Sequence, residues 1–337
     1  MRPDAKALEI IRDIMSGPPA EYDNVKKILS EENLLIETED GSLTLNSDSK
    51  SELMHSKIGA TKEAFEKFVG PSELTNIDCP RILDLCSGLG YNSLAALIRN
   101  QKCHIDMLEI SSEIIFLSRH LNNEYPEKMV INRAVESYFT KNPFQEINIY
   151  CDDARNFMKK AESGIYDIIF HDGFSPANDP VLYTVDFLSL LYKSLKKNGV
   201  LLSYSSSIPF RSALITSGFY IGEGPSIGRK RGITISAVSS NDIRIKSRLS
   251  FDDEKLIALS SIGLPYRDKN LSDDSETINT ERNIQREKYK ILNSDFSTKK
   301  IKKNLIDTEY LNIYKNSSNS RDSVLLMRNY SLTKQKN

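Results

Sequence analysis

RILDLCSGLGYNSLAALIRN, Arg81 to Asn100, reads as a short apolar strand, a tight turn carrying Gly88 and Gly90, and a helix. Glycines at such a turn let the backbone pass close to a ligand at a helix N-terminus. The dinucleotide fingerprint G-x-G-x-x-G would need a third glycine at position 93, where this chain has Ser93. Nor does that fingerprint call for an acid such as Asp84, two residues before the turn. The loop by itself leaves the ligand open.

Working outward, the stretches RILDLC, HIDMLEI, INIYC, YDIIFHD and GVLLSYS alternate with amphipathic segments such as VDFLSLLYKSLKK. Strands that alternate with helices predict right-handed crossovers and an α/β fold with a doubly wound, mainly parallel, Rossmann-like sheet. SGFYIGEG and GITISAV follow without a long helix between them, so a seven-stranded sheet ending in an antiparallel edge hairpin is expected. Upstream, Ala7, Leu8, Ile11 and Met15 fall at helical spacing over residues 4 to 16, and Pro18-Pro19 stops that helix. LLIETEDGSLTLN alternates on either side of Asp40-Gly41, a hairpin signal, and a helix is expected near residues 59 to 69. The division is a small N-terminal lobe over 1–75, the α/β domain over 76–240 and a charged, mainly helical C-terminal extension over 241–337. The extension carries a lysine run, STKKIKKN.

With 337 residues, 39% hydrophobic and 27% charged, the chain suits one globular domain of ordinary size with appendages. Its formal net charge of −1 announces no polyanion partner, so a nucleic-acid surface must come from local clusters of Lys and Arg. Cys79, Cys86, Cys103 and Cys151 occur singly with no C-x-x-C pair, which argues against zinc or any other metal. No apolar run approaches the roughly 20 residues of a membrane helix, and MRPDAKALEI lacks an apolar signal core. A soluble, reducing, cytoplasmic setting is expected.

Three acids fall at successive strand ends: Asp84, Glu109 and Asp153. Glu109 lies 19 positions after Gly90, close to the roughly 20-residue spacing at which an acid meets ribose hydroxyls in nucleotide-binding α/β folds. The set fits a ligand with a cationic amino-acid portion, a ribose diol and an adenine amino group. That ligand is S-adenosylmethionine, held by Asp84, Gly88, Gly90, Asn92, Glu109 and Asp153. The competing reading is that the glycines only turn the chain while the acids cap helices.

One more strand ends on an acid. YDIIFHDGFSPANDP, Tyr166 to Pro180, runs apolar to His171 and Asp172 and then breaks into Gly173, Ser175 and two prolines. Together these residues resemble the class I S-adenosylmethionine-dependent methyltransferases. D-G-F-S-P-A, with Asp179-Pro180 and Tyr183, further resembles the D-G-F-[SA]-P-A-K-N-P-x-x-W signature of the MnmC-type (MnmC2-like, stand-alone) tRNA methyltransferases. SGLGYN is similar to that family's G-x-G-x-G-x-N loop, MHSKIGATKEA to its upstream segment, and GRKRGITIS to its late strand. The resemblance spans roughly residues 40 to 290. Cys86 stands where the first loop glycine is usual, Asn178 replaces the lysine, Asp179 the asparagine and Tyr183 the tryptophan.

The resemblance implies N-methylation of the aminomethyl group of a modified wobble uridine in the tRNA anticodon stem-loop, here without the FAD oxidase of the bifunctional members. It makes Asp172 the catalytic carboxylate. Phe174 and Tyr183 are candidates for an aromatic wall beside the base, with plain core packing as the alternative. Arg211, Arg229 and Lys230 are candidates for phosphate, as is Arg231. The lysines at 299, 300, 302 and 303 read as a solvated surface, and His171 as a structural histidine. Two other functions remain: an aminopropyltransferase of the spermidine synthase type, against which D-G-F-S-P argues, and a non-catalytic RNA-binding subunit.

Overall fold

The computed structural model describes residues 3–47, 58–121, 124–142, 144–226, 231–293 and 296–334. A first pair of strands, β1 (Leu35–Glu37) and β2 (Leu43–Leu45), forms the expected antiparallel hairpin, turned at Gly41 with φ +78°. Seven more follow: β3 (Arg81–Leu85), β4 (His104–Glu109), β5 (Ile147–Cys151), β6 (Tyr166–His171), β7 (Leu195–Ser203), β8 (Tyr220–Glu223) and β9 (Thr234–Ala237). They make one mainly parallel sheet in the order β5-β4-β3-β6-β7-β9-β8, flanked by helices, as the alternation of strands and helices predicts.

By contacts the chain divides into two compact units, Met1–Phe157 with Tyr166–Phe174, and Met158–Ile165 with Ser175–Asn337. These are not the three segments of the sequence division. Side-chain ties run from each end of the chain to the unit it belongs to. In the first unit Arg12 of the N-terminal helix Ala5–Ser16 pairs with Glu113 at 2.6 Å. In the second, Arg328 of the last helix, Ser320–Lys334, donates to Ser212 Oγ at 2.8 Å.

Within the first unit β5, β4, β3 and β6 are all parallel, with Asp84 opposite Met107 on one side and Phe170 on the other. Ile82, Leu83, Leu85, Ile168, Ile169 and Phe170 are fully buried, as near-continuous apolar runs of parallel strands require. The buried carboxylate of Asp106 accepts from Arg81 Nη2 at 3.1 Å, Tyr166 OH at 2.8 Å and Asn148 Nδ2 at 2.8 Å, which ties four strands together at their amino-terminal halves. The segment expected as a helix over 59–69 is helical from Ala60 to Glu63 and then widens into a π-helix, Ala64–Val69, whose extra residue per turn lets Lys67, Phe68 and Val69 all turn inward.

Within the second unit β7, β9 and β8 are antiparallel, with β9 paired on both sides, and helix Val185–Ser194 is capped by Thr184 Oγ1, which accepts from Phe187 N at 3.2 Å. The extension contributes helices Phe251–Leu259, Ser275–Leu292, Thr298–Lys302, Glu309–Asn316 and Ser320–Lys334. Among the described residues no helix is long and apolar enough to cross a membrane, and no group of His, Cys, Asp and Glu is gathered to hold a metal.

Candidate active site

The order β4-β3-β6 makes the carboxyl ends of β3 and β6 a topological switch point, the crevice where open α/β sheets bind ligands. β3 leads into the glycine turn, where Cys86, Gly88 and Gly90 have φ of +61°, +53° and +84°. Three left-handed residues in five fold the turn tightly, and Gly90 then starts helix Tyr91–Arg99. A Cβ on Gly90 would lie 3.2 Å from Met107 Cε, so the position favours glycine on both conformation and space. Cys86 holds the same backbone conformation without being glycine.

Asp84, on the penultimate residue of β3, is fully buried. Its Oδ2 accepts from Ser93 N at 3.1 Å and Ser93 Oγ at 2.6 Å, both in the first turn of the helix, whereas Oδ1 has no hydrogen-bond partner. Burial pushes the carboxyl up to about 7, the hydrogen bonds from Ser93 oppose the rise, and the nearby charge of Asp172 adds to it. Asp172, one residue past β6, donates its backbone N–H to Leu85 O at 3.2 Å. Its Oδ2 accepts from Asn92 Nδ2 at 2.9 Å. Asn92 is itself buried, so the carboxamide is a fixed strut between the helix start and the strand tip.

Glu109 closes β4. Oε2 accepts from Gly88 N at 3.1 Å, and Oε1 from Ile110 N at 2.9 Å and Ser111 N at 3.1 Å. Burial raises its pKa and the three amides oppose the rise. An ionised carboxylate has about four acceptor positions, so one remains for a ligand hydroxyl. Asp153, just past β5, is gripped by Arg155: Oδ1 accepts from its backbone N at 2.8 Å and Oδ2 from Nη2 at 2.8 Å, ahead of helix Ala154–Lys160. This is the helix-capping geometry that the sequence left open.

The structure thus brings Asp84, Gly88, Gly90, Asn92, Glu109 and Asp172 together in the first unit. Phe174 follows Gly173 there and is partly exposed. Two substrate candidates need correction. Arg211 is fully buried, pairing with Asp253 at 2.6 Å and donating to Thr234 Oγ1 at 3.0 Å, so no part of its guanidinium is left for a phosphate. Tyr183 is fully buried in the second unit, edge-on to Phe210 at 5.0 Å, and offers no face to a base. Arg231 pairs with the same Asp253 at 2.6 Å. Arg229 and Lys230 lie outside the described residues, as do Met54 to Lys57 of the upstream segment. Sequence reasoning missed the grip of Ser93 on Asp84. The available signal was a hydroxyl at the third helical position, where a first-turn N–H and a side chain point the same way.

An unpartnered, fully buried carboxylate oxygen calls for a cation, and an α-ammonium is a group of the right charge and size. With a free acceptor position on Glu109 in the same unit, the residues fit S-adenosyl-L-methionine. Fold and site therefore define an S-adenosyl-L-methionine-dependent methyltransferase. Residues 114–239 match the family of that description. The chain is 46% identical to the uncharacterized protein MJ0670 of Methanocaldococcus jannaschii, over 97% of this chain and 96% of that one. It superposes on the crystal structure of MnmC2 from Aquifex aeolicus with a TM-score of 0.61 and 30% identity, covering 75% of this chain and 85% of that one. The chain belongs to the family of S-adenosyl-L-methionine-dependent methyltransferases that includes MnmC2. A shorter match, 34% identical over 23% of this chain, covers 12% of the tRNA 5-methylaminomethyl-2-thiouridine biosynthesis bifunctional protein MnmC of Leptospira interrogans.

Proposed function

We propose that the protein methylates the exocyclic amine of a 5-aminomethyluridine at the wobble position of tRNA, giving 5-methylaminomethyluridine, with Asp172 as the catalytic residue. The observation that carries this reading is the Asp172 carboxylate, set just past the tip of β6 and hydrogen-bonded to Asn92 of the helix that the glycine turn leads into. The kinship with MnmC2 and the words in the name of the Leptospira relative support the substrate.

Bound S-adenosyl-L-methionine supplies an electrophilic methyl group on a sulfonium. In this reading Asp84 Oδ1 holds its ammonium and Glu109 its ribose diol. A primary alkylamine has a reference pKa of about 10.4 and is mostly protonated near neutral pH, with no lone pair to attack. The amine must therefore shed that proton to solvent before attack, and Asp172 then accepts an N–H of the neutral amine and turns the nitrogen toward the methyl group. As the N–C bond forms and the C–S bond breaks, positive charge appears on the nitrogen and the Asp172 carboxylate offsets it. The proton then leaves to Asp172 or to water.

The test is methylation in vitro of tRNA carrying 5-aminomethyluridine, read by mass spectrometry of the nucleosides. A gain of one methyl group at that base is expected. No transfer, with S-adenosyl-L-methionine bound, would reject the substrate.

A further inference from the structure

We infer that the end of helix Ser275–Leu292 and the short helix Thr298–Lys302 form a docking surface for the phosphate backbone of RNA. The inference rests on the proposed RNA substrate and assigns a second place where that substrate is gripped. The near-neutral total hides a segregation of charge. Residues 1–240 hold 26 Lys and Arg against 32 Asp and Glu, a balance of −6, whereas 241–337 hold 19 against 14, a balance of +5. Within the extension, residues 282–303 hold eight basic against two acidic residues, a balance of +6.

The second unit neutralises the basic groups it packs inward. Arg211 pairs with Asp253, Arg248 with Glu254, Arg244 with Asp242 and Lys255 with Asp252. Lys288, Lys299, Lys302 and Lys303 are exposed and have no ion pair among the described residues. Lys299, Lys302 and Lys303 follow i, i+3, i+4 spacing and share one helix face, while Ile301 between them is fully buried on the other. Lys288 adds a further exposed ammonium on helix Ser275–Leu292, ahead of that row in the sequence.

The platform is anchored. Arg282 donates to Leu264 O at 2.7 Å and Ile262 O at 2.9 Å, and Tyr289 OH to Leu259 O at 2.8 Å. Exposed ammonium groups carried at this spacing on anchored helices suit backbone phosphates, which position a nucleic acid without reading its sequence. An anionic membrane fits less well. The apolar side chains Ile278 and Tyr289 are turned into the unit, and exposed Ile284, Ile291 and Leu292 share one stripe with Lys288 in its middle, a narrower and interrupted apolar face than the one a surface helix inserts.

The experiment compares the full chain with K288Q/K299Q/K302Q/K303Q. Affinity for an unmodified tRNA transcript is measured by fluorescence anisotropy over a range of KCl, with S-adenosyl-L-methionine affinity and melting temperature as controls of folding. The variant is expected to bind tRNA at least tenfold more weakly. Its plot of log affinity against log salt should be shallower by about 3 to 4, since each phosphate contact contributes about 0.9 to the slope. Arginine at all four positions should restore both. Equal affinity and slope in the two proteins would overturn the inference, as would lysine-dependent binding to phosphatidylserine vesicles with tRNA binding unaltered. Lysine-dependent tRNA binding without methyl transfer would reject the proposed reaction and leave this surface standing. Methyl transfer with lysine-independent binding would do the reverse.

Discussion

Asn92 reaches from the first turn of its helix to the tip of a neighbouring strand, where its carboxamide donates to Asp172 Oδ2 at 2.9 Å. The partner is charged and the donor is buried, so this hydrogen bond sets the direction of the carboxylate. It gives Asn92, a cofactor candidate by sequence, the further part of holding the residue proposed to meet the amine. Loss of a hydrogen bond to a charged group costs about 1.5–3 kcal/mol, or roughly tenfold to a hundredfold in rate if it falls on the transition state. Asn92→Ala should lower kcat in single-turnover methyl transfer by that factor while cofactor affinity stays within a few-fold. Asp172→Ala should remove turnover with the same tolerance on affinity. Normal turnover in either protein would sever the link between this pair and the chemistry.

As the proposed partner of the cofactor's ammonium, Asp84 should make cofactor binding sensitive to pH. The folded carboxyl sits near 7, above its usual 3.8, so the apo protein carries it protonated below neutrality. A cationic ammonium prefers the ionised form. Affinity for S-adenosyl-L-methionine should therefore weaken as pH falls below about 7, by up to tenfold per unit, with proton release on binding in calorimetry. The sign for stability is opposite. A folded pKa above the unfolded one stabilises the apo protein fully below about 4, and that contribution is lost as pH rises through about 7. Asp84→Asn should flatten both profiles. A pH-independent affinity from 5.5 to 8 in the native protein would remove Asp84 from the ammonium.

Much of this was legible in the sequence because the parallel strands β3, β4 and β6 are largely apolar runs, and an acid at or just past the end of each stands out against them. Asp84, Glu109 and Asp172 stood out in that way. What each acid bonds to was not legible, because it depends on χ angles. Asp153 and Asp84 occupy equivalent places in the sequence pattern, yet one is gripped by Arg155 and the other keeps a bare oxygen. Arg211 was misread for a similar reason. A lone arginine after a strand looks solvent-facing until the acid that buries it, Asp253, arrives 42 positions later.

Cys86 keeps a left-handed backbone, φ +61°, at the start of the turn. For an L-residue that conformation costs about 1–2 kcal/mol, which glycine avoids at the expense of about 0.5–1 kcal/mol of chain entropy. Cys86→Gly should therefore leave stability unchanged or raise it by up to about 1 kcal/mol. Cys86→Val, branched at Cβ, should lower it by more than 1 kcal/mol. Chemical denaturation of the three proteins reads this directly, and the order Val above Gly would mean that the turn is not left-handed in solution.

Arg211 separates a structural from an RNA-binding role. Its guanidinium is fully buried against Asp253, itself nearly buried and also paired with Arg231. Removing one partner of a buried pair leaves an uncompensated charge and typically costs about 3–5 kcal/mol. The second contact of Asp253 with Arg231 offsets part of that, so Arg211→Ala should lower stability by about 3 kcal/mol, visible as a drop of several degrees in Tm. Arg211→Lys should recover little, because one ammonium cannot reach Asp253, Thr234 Oγ1 and Gly232 O together as the planar fork does. At a temperature where the Ala variant is still folded, its tRNA affinity should equal that of the native protein. Unaltered Tm with weakened tRNA binding would return Arg211 to the RNA surface.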